Sequence, residues 1–264
     1  MEQWKIFENN CYEYLKKKYT TFSNITFKQD GGSDSTVPDI AVMKNGEIKY
    51  YIETKMSNAQ SGQFVLLPDE EKQIFIFSPR NKSKSNSLTD IIIEYMNNDF
   101  ENFNTAGTAG KSLDIDSSIF SQWIIEYYAK KNVKYFMTEG LDYIVFPIQQ
   151  FGKYFDITAK YRIKKSGSSE PAKKDIPTIL EILEQKYEIT KSRIQGKKLF
   201  VLGNENISKV KFERGKYTYS LVPKSENEFE VRKLSNTYNM NVIFSISLKK
   251  EQDKTDLKIF ESDL

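Results

Sequence analysis

Histidine is absent from all 264 residues, and that absence removes every mechanism in which imidazole serves as base, nucleophile or metal ligand. Serine-histidine triads, histidine zinc sites and histidine-based nucleases are excluded together. The single cysteine, Cys11, can form neither an internal disulfide nor a cysteine-built zinc site, and it fits a reducing compartment. No apolar run approaches the roughly 20 residues that span a bilayer. The start, Met1-Glu2-Gln3-Trp4-Lys5, lacks the basic and then apolar order of a signal peptide. A cytoplasmic protein with no membrane partner is therefore expected. Charge of one sign is not in large excess either: a net +3 permits a polyanionic partner without demanding one. What remains for hydrolysis near neutrality is carboxylates, lysines and a hard metal ion.

The chain does have the means to fold. A hydrophobic content of 39%, with 14% aromatic residues, supplies the buriable surface that a disordered chain lacks. Helical spacing of Trp4, Ile6, Phe7, Cys11, Tyr14 and Leu15 predicts a first helix over Glu2 to Lys18, with Cys11 filling core. Strands are predicted at Pro38 to Met43 and Ile48 to Lys55 around the hairpin signal Asn45-Gly46, and at Gln73 to Phe77. Helices at Leu88 to Met96 and Ser118 to Lys131 flank a polar loop from Asn102 to Lys111. Strands follow at Val133 to Met137, Asp142 to Phe146 and Tyr154 to Ile163.

The stretch Ser166-Gly167-Ser168-Ser169, with Pro171 close behind, has linker composition. The expected organisation is a catalytic domain over 1–165, a linker over 166–175, and a smaller β-rich module over 176–264. That module holds one helix, Ile176 to Tyr187, and strands near 198–202, 209–212, 217–222, 229–232 and 241–248. The fold class expected is α/β (α+β), a mixed sheet flanked by helices.

In Pro38-Asp39-Ile40-Ala41-Val42 and Tyr51-Ile52-Glu53-Thr54-Lys55, an acid opens one strand and an acid-x-lysine closes the next, so a hairpin returns all three groups to one end. Glu53 and Lys55, two apart on a strand, share a face, while Ile48, Tyr50, Ile52 and Thr54 take the other. Phosphodiester hydrolysis needs carboxylates that hold a metal, for which Asp39 and Glu53 serve, with the Thr54 carbonyl completing a magnesium shell. Lys55 orients the attacking water or stabilises the transition state, with a pKa lowered if it is buried.

Acid-x-lysine also occurs at Glu47/Lys49, Glu70/Lys72, Glu184/Lys186 and Asp256/Lys258, so context, not the triplet, singles out Glu53/Lys55. The geometry makes a demand. A plain two-residue turn at Asn45-Gly46 would set Asp39 opposite Ile52, on the wrong face for Glu53. Convergence requires either a three-residue loop with Gly46 at positive φ or a bulge near Pro38.

These residues resemble the PD-(D/E)xK nuclease superfamily, and within it a type II restriction endonuclease. The resemblance implies a magnesium-dependent, sequence-specific endonuclease acting on double-stranded DNA, working as a homodimer and paired functionally with a cognate DNA methyltransferase. It also implies that Glu8, on the first helix, adds an acid near the metal. Gln63, in Gln60-Ser61-Gly62-Gln63-Phe64, would support the site, although Phe64 replaces the tyrosine of the better-defined motif. A structure-specific or repair nuclease of junction-resolvase type, and a non-catalytic DNA-binding module, are the alternatives.

For holding DNA, Arg80 and Lys82 in the loop Ser78 to Lys84 and Arg162 on a strand end offer cations to phosphates. In the C-terminal module Arg214 flanks a turn, and Arg232 and Asn236 are side chains suited to guanine and adenine edges. Gly110-Lys111-Ser112 imitates the end of a phosphate loop, but Thr105 stands where its first glycine belongs, so no nucleotide dependence is expected.

Overall fold

A computed structural model describes residues 3–19, 24–31, 37–165 and 167–264. Glu2, the expected helix start, and Ser166, in the expected linker, lie outside the described residues. The chain divides into two units, one formed by Met1–Arg162 with Met240–Leu264, the other by Ile163–Asn239.

The first unit runs α1 (Gln3–Lys18), β1 (Ile25–Gln29), β2 (Ile40–Lys44), β3 (Glu47–Thr54), β4 (Asn58–Asp69), β5 (Ile74–Phe77), α2 (Ser87–Asn97), α3 (Phe100–Asn104), β6 (Lys111–Ser112), α4 (Ser117–Ala129), β7 (Val133–Glu139), β8 (Tyr143–Pro147), α5 (Phe151–Tyr154) and β9 (Phe155–Lys165). The second contains β10 (Ser168–Ser169), α6 (Ile176–Lys186), β11 (Lys191–Gln195), β12 (Lys198–Leu202), β13 (Lys211–Arg214), β14 (Tyr217–Pro223) and β15 (Glu228–Leu234). The chain then returns to the first unit through β16 (Tyr238–Leu248) and α7 (Lys254–Asp263).

Two sheets build the first unit. One has the order β1-β2-β3-β7-β8 and the other β5-β4-β16-β9-β6. In the first sheet β3 and β7 are parallel and the remaining pairs antiparallel, which makes it mixed. Tyr50 and Ile52 of β3 pack with Phe7, Cys11 and Leu15 of α1 and Phe260 of α7 in one core, so Cys11 does fill core. The opposite face is covered by α4, whose Tyr128 meets Phe136 of β7 edge-on at 5.1 Å. The other side of α4 faces the second sheet, where Trp123 packs on Phe64 at 5.7 Å and on Phe244 at 4.5 Å. One helix thus wedges between both sheets and fixes their spacing. Among the described residues no helix is long and apolar enough to cross a membrane.

The expected boundaries need correction. Residues 240–264 do not belong to the C-terminal module. β16 buries Val242, Ile243, Phe244 and Ile246 and pairs with β4, while α7 and the residue that follows it supply Phe260 and Leu264 to the first core. The supposed linker is partly ordered structure, since Ser168 and Ser169 pair with Leu234 and Lys233 of β15. The second unit, 163–239, is an antiparallel sheet in the order β11-β12-β15-β14-β13. Its own core joins Ile179 and Leu183 of α6 to Leu199, Val201, Leu221 and Val231.

Candidate active site

The hairpin of β2 and β3 solves its register differently from either expected way. Its turn has two residues, Asn45 at φ 55° and Gly46 at φ 82°, the left-handed pair that matches strand twist. The extra residue is Lys49: Met43 pairs with Ile48, but Val42 pairs with Tyr50 and Ile40 with Ile52. That bulge sits beside the turn, not near Pro38, and it displaces Ile48 from the core-facing set, leaving it exposed. Carried on from Ile40 and Ile52, the shifted register sets Asp39 across from Glu53, as convergence requires.

Asp39 is buried, and its Oδ2 accepts from the Thr54 amide and the Thr54 hydroxyl, both at 2.8 Å. Its Oδ1 has no partner among the described residues. The backbone of Asp39 is clamped as well, because its carbonyl accepts from the Asp30 and Gly31 amides at 2.9 and 3.2 Å. Gly31 is there for lack of a side chain: a Cβ would lie 2.8 Å from the Asp39 Cα and 2.9 Å from Oδ1. The glycine run 31–32 had no reading in the sequence, and close approach is what this member of it provides.

Glu53 is buried as deeply, and Lys55 Nζ donates to its Oε1 at 2.5 Å and to the Thr54 carbonyl at 3.1 Å. Pairing with β7 holds this end in place, the Lys55 amide donating to Met137 O at 3.0 Å. Burial raises the Glu53 carboxyl above its usual range, Lys55 opposes that rise, and the Asp39 charge adds to it. Lys55 departs from expectation. Burial does favour its neutral form, but Glu53, Tyr128 and Asp39 outweigh that and hold its pKa well above the ordinary lysine value. In this arrangement its neighbours favour the ammonium form.

Glu8 of α1 joins this centre. Burial, and then the neighbouring Asp39 charge, push its carboxyl up to about 7, against the pull of Lys55. Three acids and one ammonium thus share one wall of a cavity of about 1050 Å³. The same cavity is lined by Arg80 and Lys82, by Gln60 and Gln63, and by Tyr127, Tyr128, Lys130 and Lys131 at the end of α4. Sequence reasoning missed the α4 contribution, although Tyr127-Tyr128-Ala129-Lys130-Lys131 at a helix end carries both its signals, aromatic and cationic. Lys131 lies 4.1 Å over the Tyr127 ring and its charge lowers the Glu53 pKa.

Other expected residues stand elsewhere. Gln63 belongs to the second sheet and its amide bonds to Gln60 and Asn241, not to the acids. Arg162 of β9 does not line the cavity; its Cβ packs against Gly110. Within the second unit, Arg214 is paired with buried Asp175 at 2.7 Å. Arg232 is paired with Glu230 at 2.8 Å and Glu170 at 3.0 Å. The Asn236 amide donates to Lys216 O at 3.2 Å. Both arginines are committed to carboxylates of their own unit, because a buried acid takes the nearest guanidinium.

Among the described residues no group of three or more acid, cysteine or histidine side chains forms a ready metal cage. The donor set is oxygen only: Asp39, Glu53 and the Thr54 carbonyl. It suits a small hard cation that keeps several waters, and the crowded acids, two of them with raised pKa values, are what a cation would relieve.

No family model matches the sequence, and a search of curated proteins finds no match. Among solved structures, the HhaI endonuclease in complex with DNA is similar at 37% identity and a TM-score of 0.79, over 99% of this chain and 98% of that one. Likeness at that identity through nearly the whole of both chains, on a mixed sheet with an acid centre, settles the relationship: the fold is restriction-endonuclease-like, and the chain belongs to the family of the HhaI endonuclease.

Proposed function

We propose that the chain is a magnesium-dependent, sequence-specific endonuclease of the type II restriction class, hydrolysing phosphodiester bonds in double-stranded DNA. The observation that carries this reading is the meeting of Asp39, Glu53 and Lys55 at one end of a hairpin, inside a cavity rimmed by cations. The family relative is an endonuclease solved with DNA, which agrees with it.

Asp39 and Glu53 would hold the metal, with the Thr54 carbonyl as a third oxygen. A bound divalent cation supplies positive charge against the phosphate and acidifies a water. Asp39 is pre-oriented by its two bonds from Thr54, so its free oxygen needs no rearrangement to serve as a ligand. Lys55 stays charged and places its ammonium against the developing negative charge or the attacking water. Glu8, titrating near neutrality, can hold or release a proton at its carboxyl within the same cavity. Arg80, Lys82 and Lys130 face the duplex backbone. A host carrying such an enzyme needs its own sites protected, which a cognate methyltransferase would do.

The test is digestion of linear duplex DNA in magnesium buffer. Discrete fragments are expected, abolished by EDTA and reduced at least ~10³-fold by the paired change Glu53→Gln with Lys55→Met, which removes both charges together. Cleavage by that variant at the normal rate would remove the assignment, and cleavage confined to branched DNA would replace it with a junction-specific nuclease.

A further inference from the structure

The cavity that holds the acids is also lined by a cluster that the catalytic centre does not use. In an unbroken strand Gln60 and Gln63, three apart, point to opposite faces. Here Gln63 pairs with Ile243 and Gln60 with Ser245, so β4 holds two residues where β16 holds one. This bulge turns both glutamines to the same exposed side. The bulge depends on Gly62, at φ +101°, where a Cβ would lie 2.8 Å from the Trp123 ring. Trp123 is itself immobilised, packed on Phe64 and donating from Nε1 to Thr89 Oγ1 at 2.9 Å.

Three amides interlock on this base. Gln60 Nε2 donates to Gln63 Oε1 at 3.2 Å, and Asn241 Nδ2 donates to the same oxygen at 3.1 Å. That saturates the Gln63 carbonyl and orients its NH₂ group. Among the described residues Gln63 Nε2 and Gln60 Oε1 have no partner, so the pair presents a donor beside an acceptor to the cavity that holds Asp39 and Glu53. Stability does not account for the arrangement. An exposed amide bond returns about 0.5–1.5 kcal/mol, while ordering each glutamine costs up to about 2 kcal/mol in rotamer freedom. A donor next to an acceptor, held rigidly, is what a base edge in the major groove demands, where adenine offers N6–H and N7 and a G·C pair offers O6 and the cytosine N4–H.

We propose that Gln63 and Gln60 read base edges and set the sequence preference of the enzyme, with Asn241 positioning Gln63. This rests on the reading of the chain as a DNA endonuclease, and it moves Gln63 from support of the catalytic centre to recognition.

The experiment is a binding selection, so that its outcome does not depend on cleavage. Full-length protein in EDTA is given a pool of random-sequence duplexes, and the retained duplexes are sequenced. Wild type is expected to enrich a defined motif. Gln63→Ala and Gln60→Ala should each lose discrimination at one base pair or two adjacent pairs by about 10- to 100-fold, keep the rest of the motif, and melt as wild type does. Gln63→Glu, which exchanges the donor for an acceptor, should prefer a different base at that pair. The inference is overturned if the Gln63 variants select the wild-type motif at every position, if they weaken all positions uniformly, or if wild type enriches no motif. Failure of the endonuclease reading is seen separately, as absence of magnesium-dependent cleavage by wild type.

Discussion

The acids of the second unit and those of the cavity in the first are treated in opposite ways, and Asp256, buried elsewhere in the first unit, follows the second unit's pattern by pairing with Lys153 at 2.8 Å. In the second unit Glu230 is neutralised twice, by Arg232 and Lys224, each at 2.8 Å. Burial would raise its carboxyl, but the two cations overcome that and hold it below the usual range. Asp175 is paired with Arg214 at 2.7 Å. In the first unit Asp39, Glu53 and Glu8 crowd one cavity around a single close ammonium, and both Glu53 and Glu8 are raised. The satisfied acids are structural, since among the described residues of that unit both buried carboxylates already have their partners. The under-neutralised acids store electrostatic strain that a bound cation would release, which is what makes the cavity the candidate site. An arginine beside a buried carboxylate is spoken for; an arginine facing an open cavity is available.

That contrast is most sharply broken by exchanging the two kinds of arginine. Arg232→Ala leaves Glu230 buried with Lys224 alone and is expected to destabilise the protein by about 3 kcal/mol, below the full value for an orphaned buried charge because one cation remains. Arg80→Ala removes an exposed side chain that lines the cavity. It should leave stability within about 0.5 kcal/mol, weaken binding to duplexes of any sequence, and lower the salt slope of binding by about 1. Chemical denaturation and salt titration of binding measure both. If Arg232→Ala melts as wild type while losing sequence preference, the division into structural and available cations is wrong.

Much of the hairpin was legible in the sequence because its signals are local: alternating apolar residues, Asn45-Gly46, and acids at strand ends. The charged centre and the even-register requirement followed from pleat geometry alone. The location of the bulge did not, since an extra Lys49 looks like any exposed strand residue. Strand β4, twelve residues long, went unread because its start, Asn58-Ala59-Gln60-Ser61-Gly62-Gln63, is polar and interrupted by the bulge, so the period of two fails. Strand β16 was seen but assigned to the wrong unit, because strand pairing across the chain, Val242 with Phe64, leaves no local trace. The ion pairs of Arg214 and Arg232 were not legible for the same reason: their partners Asp175, Glu170 and Glu230 are chosen by tertiary contact. Gly31 was missed because glycine reads as a turn former, when its function is to let Asp39 approach. Gly31→Ala should destabilise by about 1–2 kcal/mol and lower cleavage about 10- to 100-fold by displacing a group that must be placed to within about 1 Å. Unchanged cleavage by a folded Gly31→Ala protein would mean that the Asp39 carboxylate tolerates displacement.

The smallest effect concerns Glu8, and it tests the sign of the contrast between the two units. Its carboxyl, near 4.5 by itself, is raised to about 7 in the fold. A raised carboxyl binds its proton more tightly when folded, so its contribution is fully present below about pH 4.5 and is lost as pH rises through about 7. Above that the fold carries the whole cost of charging Glu8 beside Asp39, which solvent screening at this partly exposed position holds to about 1 kcal/mol. Glu8→Gln should therefore stabilise the metal-free protein near pH 8 by about 1 kcal/mol, a rise in Tm of roughly 2–4 °C, and make no difference near pH 5. Glu230→Gln should behave in the reverse sense: its carboxyl is depressed, so its contribution is present at neutral pH and disappears as pH falls through the depressed value. Saturating magnesium should erase the advantage of Glu8→Gln, because a cation among the acids removes the repulsion that the substitution relieves. Thermal melts of the two variants from about pH 8 down to below the ordinary glutamate value of about 4.3 decide the matter. Equal or parallel profiles would show that the acids of the cavity are as well neutralised as those of the second unit, and the cavity would lose its claim to hold a metal.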